Sequence, residues 1–117
     1  MSEKKEGEAL KHDSGKIRYS LVPQLAIREV IKGFEHGAKK YGQFNYSNGL
    51  NHLRYADAAW RHMNQYLTGE NIDEESGVPH LALIACNAMM ALENSIQRKG
   101  VDDRNPHYVQ LELFTNQ

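Results

Sequence analysis

Apolar side chains recur at helical spacing in two stretches of the chain and crowd together in a third. Between Pro23 and Tyr41, the residues Ile27, Val30, Ile31, Phe34, Ala38 and Tyr41 fall within about 100° of arc, the width of a core-facing helical stripe. Pro23 suits a first helical turn, where its missing N–H would have no partner anyway, and Gly42 can take the conformation that ends a helix. The spacing therefore predicts a helix from Pro23 to Tyr41. A second amphipathic segment runs from about Leu50 to Leu67, with Leu53, Ala56, Trp60, Met63 and Leu67 expected on its buried side and Gly69 closing it. Pro79 opens a third helix. From Leu81 to Leu92 only Asn87 is not apolar. A helix apolar all round needs neighbours on every side, and this run is too short to span a membrane.

The segments between the helices read as turns and loops. Asp13-Ser14-Gly15 forms a turn, 43–51 is rich in asparagine and glycine, and 70–78 (ENIDEESGV) is an acidic connection. Beyond Gly100 the chain is polar again, Asn105-Pro106 breaks it, and Val109–Phe114 reads as a short strand or an anchoring turn. The expected organisation is a flexible arm over 1–12, a helical domain over 13–98 and a tail over 99–117. The fold class is all-α. Because three helices with one enclosed on every side make a thin monomer, self-association into a dimer or tetramer is expected to complete the bundle.

Composition narrows the function classes. A chain of 117 residues is one domain's worth of material. Its 14 Lys and Arg against 15 Asp and Glu give a net charge of −1, which argues against a duplex nucleic-acid surface or a polybasic membrane anchor. The single cysteine, Cys86, excludes an intramolecular disulfide and a cysteine-rich zinc module, and its place in the apolar run suggests a buried thiol. With neither a membrane span nor a secretory signal at the N-terminus, a cytoplasmic location is expected. Glycine-rich dinucleotide and Walker-type phosphate loops are missing, as is a Gly-x-Ser-x-Gly elbow.

What remains is a set of carboxylates, amides and bases at helix edges. Glu35 lies at the border of the first stripe, either as a partly exposed carboxylate or as a metal ligand facing a groove. Asp57, Arg61 and Asn64 share one face of the second helix. An exposed Asp–Arg pair there contributes only about 0.3–0.5 kcal/mol, but Trp60 and the Arg61-His62 doublet beside it suit the wall of a site. Glu70, Asp73, Glu74 and Glu75 either complement the dipole of the following helix or offer hard oxygen ligands to Mg2+ or Mn2+. His80 and Asn87 lie two turns apart on one face of an otherwise apolar helix, so each needs a polar partner or a ligand. Lys16, Arg18, Lys39, Lys40 and Arg61 are either solvated bases or parts of a polyphosphate clamp.

Four segments in series carry a resemblance. They are Asp13-x-Gly15-Lys16-x-Arg18 with Leu21-Val22-Pro23; Gly37-Ala38-Lys39-Lys40-Tyr41-Gly42 with Asn45-Tyr46; Tyr55-x-Asp57-Ala58-x-x-Arg61-His62; and Gly69-Glu70-x-x-Asp73-x-Glu75-Ser76-Gly77-x-x-His80-Leu81. In that order and spacing the chain resembles the phage dATP/dGTP pyrophosphohydrolase family, the MazZ-type relatives of MazG. The resemblance implies a MazG-like helical bundle, oligomeric, that hydrolyses purine deoxynucleoside triphosphates to monophosphate and pyrophosphate with divalent metals on helix carboxylates. Some phages with such enzymes replace adenine with 2-aminoadenine, and there the enzyme removes dATP and supplies dGMP. The chain departs from the family in three places. Glu29 and Glu35 are spaced differently from the Glu-Glu-x-x-Glu helix of MazG, Tyr46 stands where tryptophan is usual, and Leu83 stands where a second histidine follows His80.

On this reading Mg2+ or Mn2+ is held by carboxylates among Glu35, Asp57, Asp73 and Glu75, and a free carboxylate or His80 orients the attacking water, making Asp73, Glu75 and His80 the expected catalytic set. Lys16, Arg18, Lys40 and Arg61 neutralise the leaving pyrophosphate, while Asn45, His62 and Asn87 complete the substrate site. Two other classes stay open: a non-catalytic helical phage protein built for oligomerisation or partner binding, and a His/Asp metal phosphohydrolase using His62, His80, Asp57 and Asp73. The latter favours transition metals and releases triphosphate or phosphate. It ranks last, because the one adjacent His-Asp pair, His12-Asp13, lies in the arm.

Overall fold

The computed structural model describes residues 7–110, so residues 1–6 of the expected arm and residues 111–114 of the expected strand or anchoring turn lie outside the described residues. Three helices form: α1 (Gln24–Tyr41), α2 (His52–Leu67) and α3 (His80–Gln97), with short 3₁₀ turns at Tyr19–Leu21 and Asn45–Asn48. The described residues hold no strand, only an isolated bridge between Ile72 and Pro79, so the fold is all-α as expected. The helix ends follow the sequence signals. Pro23 and Pro79 stand immediately before α1 and α3, and Gly42 ends α1 at φ +98° with its N–H bonded to the Ala38 carbonyl at 3.0 Å.

α3 is the spine. It packs against both α1 and α2, which make little contact with one another. Val30 of α1, Ala82 and Cys86 of α3, and Val78 from the preceding loop form the buried core, with Ile27, Phe34, Leu83, Ala85 and Met90 around them. The close approach of α1 to α3 depends on Gly33: a Cβ there would stand 2.6 Å from the Cys86 sulfur and 3.3 Å from Leu83. The Cys86 thiol donates to the Val30 carbonyl at 3.2 Å, and burial pushes its pKa up to about 11, so it is the inert structural thiol the sequence suggested.

The buried side of α2 differs from expectation. Tyr55 is buried, with Ala58, Ala59 and His62 partly covered beside it; of the expected stripe Met63 is partly covered, whereas Trp60 is 77% exposed and Leu53, Ala56 and Leu67 also face out. The observed buried face is turned roughly 120° from the Leu53–Leu67 stripe. The reason is chemical: α2 meets α3 through Tyr55 and His62, whose polar atoms find partners across the interface, and apolar periodicity does not register such contacts. Nor is α3 enclosed on every side in the single chain. Leu81, Ala88, Met89 and Leu92 share an exposed face spanning about 100°.

The segment after α3 returns to the start of α2. The His52 N–H donates to the Val101 carbonyl at 2.8 Å, and the Leu53 N–H donates to the Asp103 carboxylate at 2.9 Å. A negative charge thus meets the positive end of α2. Gly100, at φ +73°, passes so close to Leu50 that any Cβ would collide with its carbonyl. This crossing fixes the loop that leads into α2.

Candidate functional site

Because α1 and α2 both rest on α3 without closing on each other, a groove of about 770 Å3 opens between them, within the size range of small-molecule sites. Its α1 wall is small where Gly33, Gly37 and Ala38 lie and aromatic at Phe34 and Tyr41. The loop between α1 and α2 adds Phe44, Asn45 and Tyr46, packed edge-on: Phe34 to Tyr46 at 6.1 Å and Phe44 to Tyr46 at 6.5 Å between ring centres. Phe44 holds a left-handed backbone at φ +60°, a strained state for a bulky residue and of the kind that clusters at binding sites. From α2, Asp57 and Arg61 line the opposite wall, four residues apart. From α3, Asn87 and Met90 line the base. The Asn87 amide nitrogen donates to the Leu83 carbonyl at 2.9 Å, and Asn45 accepts from the Asn48 amide at 3.3 Å.

A second constellation lies where the loop 70–79 meets the helices. Here the chain folds tightly on itself. The Asp73 N–H donates to the Val78 carbonyl (2.9 Å), the Gly77 N–H to the Asp73 carbonyl (2.8 Å) and the His80 N–H to the Asn71 carbonyl (2.9 Å). One Asp73 carboxylate oxygen accepts from both the Ser76 N–H, at 3.0 Å, and its hydroxyl, at 2.7 Å. These bonds carry Asp73 and His80 to His62 of α2. His80 is fully buried; its Nδ1 lies 2.9 Å from His62 Nδ1 and its Nε2 lies 3.0 Å from the Glu70 carboxylate. Donor atoms of His62, Asp73 and His80 all lie within 4.8 Å of one another. Burial lowers the pKa of His62. For Asp73, burial acts upwards but the two Ser76 donors and the neighbouring imidazoles outweigh it, and its pKa is lowered.

The remaining expected residues are distributed as follows. Lys40, at the end of α1, pairs with Glu75, which also stands 4.0 Å from His36. Glu75 raises the Lys40 pKa, and the ammonium lies 5.2 Å from the ring centre of Tyr41, a groove residue. Glu35 is exposed on α1 outside the groove, and Lys16 and Arg18 are exposed in the segment before it. The structure therefore gathers Asn45, Asp57, Arg61 and Asn87 at the groove, His62, Asp73 and His80 in the cluster, and Lys40 with Glu75 between α1 and the loop.

Among the described residues, His62, Asp73 and His80 are the one grouping of three or more metal-ligating side chains, and of the four expected carboxylates Asp73 alone belongs to it. An all-carboxylate cage is not assembled. Mg2+, however, commonly takes one or two carboxylates and completes its shell with substrate phosphates and water, and Asp57 on the groove wall fits that pattern. Sequence reasoning marked Tyr46 only as a family position with no role at the site, and missed the groove aromatic Phe44 and the partnership of Glu70 with His80. The aromatic alternation in Gln43–Tyr46 between Gly42 and Gly49 was the available signal for the former.

Comparison with known proteins bears on this geometry. A family model described as dATP/dGTP diphosphohydrolase, N-terminal, matches residues 6–104. The dATP/dGTP diphosphohydrolase of Salmonella phage PMBT28 is 33% identical over 95 residues, which are 81% of this chain and 32% of that protein. The chain thus spans about a third of the length of the curated relative it matches. No solved structure matches it. With most of its length matched, including both the groove and the histidine cluster, the chain belongs to the dATP/dGTP diphosphohydrolase N-terminal family.

Proposed function

We propose that the protein hydrolyses purine deoxynucleoside triphosphates, dGTP or dATP, to the monophosphate and pyrophosphate, in phage nucleotide metabolism. The observation that carries this reading is the groove itself: aromatic rings on one wall and the side chains of Asp57 and Arg61 on the other, in a chain of this family. The rings of Phe44 and Tyr46 suit the face of a purine, and the amides of Asn45 and Asn87 suit its polar edge or the sugar. Asp57 is the residue to hold Mg2+ or Mn2+ jointly with the triphosphate. When bound, such an ion acts as a Lewis acid on the phosphoryl oxygens.

In the reaction, water attacks the α-phosphorus and gives up a proton to solvent, the bond from that phosphorus to the oxygen bridging the α and β groups breaks, and pyrophosphate leaves with the bridging oxygen. Arg61, on the same groove wall as Asp57, neutralises the charge that moves onto the leaving group. Lys40 adds a second cation once phosphate replaces Glu75 as its partner. The exposed apolar face of α3 supports self-association as a dimer or tetramer.

Product analysis tests the reaction. The protein is incubated with each dNTP, with Mg2+, Mn2+ or chelator, and the products are separated by anion exchange. The expected result is metal-dependent dGMP or dAMP plus pyrophosphate, lost in Asp57→Asn while the helical far-UV signal persists. Nucleoside plus triphosphate would move the protein to the His/Asp phosphohydrolases. No turnover of any dNTP by folded protein would leave the non-catalytic reading.

A further inference from the structure

We propose that His62, Asp73 and His80 form a binding site for a first-row transition-metal ion, with Glu70 orienting His80 from outside the coordination shell. None of these four residues lines the groove, so the proposal stands apart from the reaction suggested above.

Three observations converge on it. The first is how the donors face. His62 Nδ1 and His80 Nδ1 are 2.9 Å apart, and an Asp73 oxygen completes a triangle whose members all lie within 4.8 Å. Two nitrogens bound at right angles to one ion, each at about 2.1 Å, would lie about 3.0 Å apart, so little movement is needed to admit it.

The second observation is how His80 is held. Its ring is fully buried, and Nε2 lies 3.0 Å from the Glu70 carboxylate. A carboxylate only accepts, so Nε2 carries the proton and Nδ1 turns a lone pair into the cluster. A carboxylate behind a ligating imidazole is the usual means of fixing its tautomer and raising its basicity.

The third is rigidity. His62 sits within α2, His80 begins α3, and Asp73 is fastened by both Ser76 donors, so the donors come from three separately anchored pieces of chain.

The donor set decides the class of ion. Two imidazoles and one carboxylate suit Mn2+, Fe2+, Co2+, Ni2+ or Zn2+, whereas Mg2+ and Ca2+ prefer oxygen throughout. Without an ion, the same atoms would form a hydrogen-bonded chain from Glu70 through His80 to His62. Direct binding measurements separate the two.

The chelator-treated full chain is titrated with Co2+, followed by visible d–d absorption, and with Zn2+, followed by thermal denaturation, with Mg2+ at equal ionic strength as control. The expected result is saturation at one Co2+ per chain and a rise in melting temperature with Zn2+ that Mg2+ does not reproduce. His62→Ala, with the α2–α3 packing checked by far-UV circular dichroism, should abolish the Co2+ band. Glu70→Gln should keep the stoichiometry and weaken binding by about 10- to 100-fold. No saturable Co2+ binding by the wild-type chain, or binding unchanged in His62→Ala, would overturn the proposal. Either result can be obtained whether or not the protein hydrolyses nucleotides.

Discussion

The side-chain nitrogen of Asn94 donates to the hydroxyl of Tyr55 at 2.7 Å, joining α3 to α2 with Asn94 1% and Tyr55 3% exposed. Burial raises the Tyr55 pKa, so the phenol stays neutral across the physiological range and remains available as a partner. Tyr55→Phe keeps the ring and removes the acceptor, leaving a buried amide donor without a partner. The expected loss is about 1–3 kcal/mol in equilibrium urea unfolding. Adding Asn94→Leu should recover part of it, because an apolar pair leaves nothing unsatisfied.

Gly33 and Gly37 lie one turn apart on α1 and should respond to alanine in opposite ways. At Gly33 the new methyl meets the Cys86 sulfur at 2.6 Å, and overpacking of this kind costs about 1–3 kcal/mol. At Gly37 nothing lies within 4 Å of the added carbon, so helix propensity dominates and stability should rise by up to about 1 kcal/mol. Thermal melts of the two variants compare them directly.

The Cys86 thiol, held near pKa 11 by burial against an ordinary value of 9.0, should resist iodoacetamide at pH 8 in the native protein and react once urea unfolds it. The same shift has a stability consequence. The folded state keeps its proton to higher pH than the unfolded state, so this contribution is complete below pH 9 and is lost as pH rises towards 11. Tyr55, also raised, adds with the same sign at higher pH. Urea midpoints measured from pH 8 to 11 should fall, and fall less steeply in Cys86→Ala.

Leu81, Met89 and Leu92 are each about half exposed along one face of α3. Sedimentation velocity should find the wild-type chain as a dimer or tetramer, and Leu92→Lys should shift it towards monomer without loss of helix. A wild-type chain that sediments as a monomer throughout the accessible concentration range would count against self-association through this face.

The helix boundaries were legible because proline, glycine and apolar spacing all act locally. Gly42 ends α1 and Pro79 precedes α3 where the sequence indicated. The orientation of α2 was not legible. Its buried face is carried by Tyr55 and His62, which become interior residues only because Asn94 and His80 stand opposite them. The same holds for the cluster. His62, Asp73 and His80 each attracted notice in the sequence, but the loop that brings Asp73 to the imidazoles is shaped by backbone bonds to Val78 and Asn71 and by the Ser76 hydroxyl. Pairings of that sort arise from three-dimensional closure and leave no periodic trace.

The position of α3 beneath two helices that scarcely touch also bears on how such a groove can diversify. A change on the groove side of α1 has to be accommodated by α3 but not by α2, and the reverse holds for α2. Each wall can therefore drift by single steps, with no compensating change in the other. Variation among descendants should accumulate on the walls, while the α3 positions packed into the core beneath α1, Cys86 foremost, resist replacement.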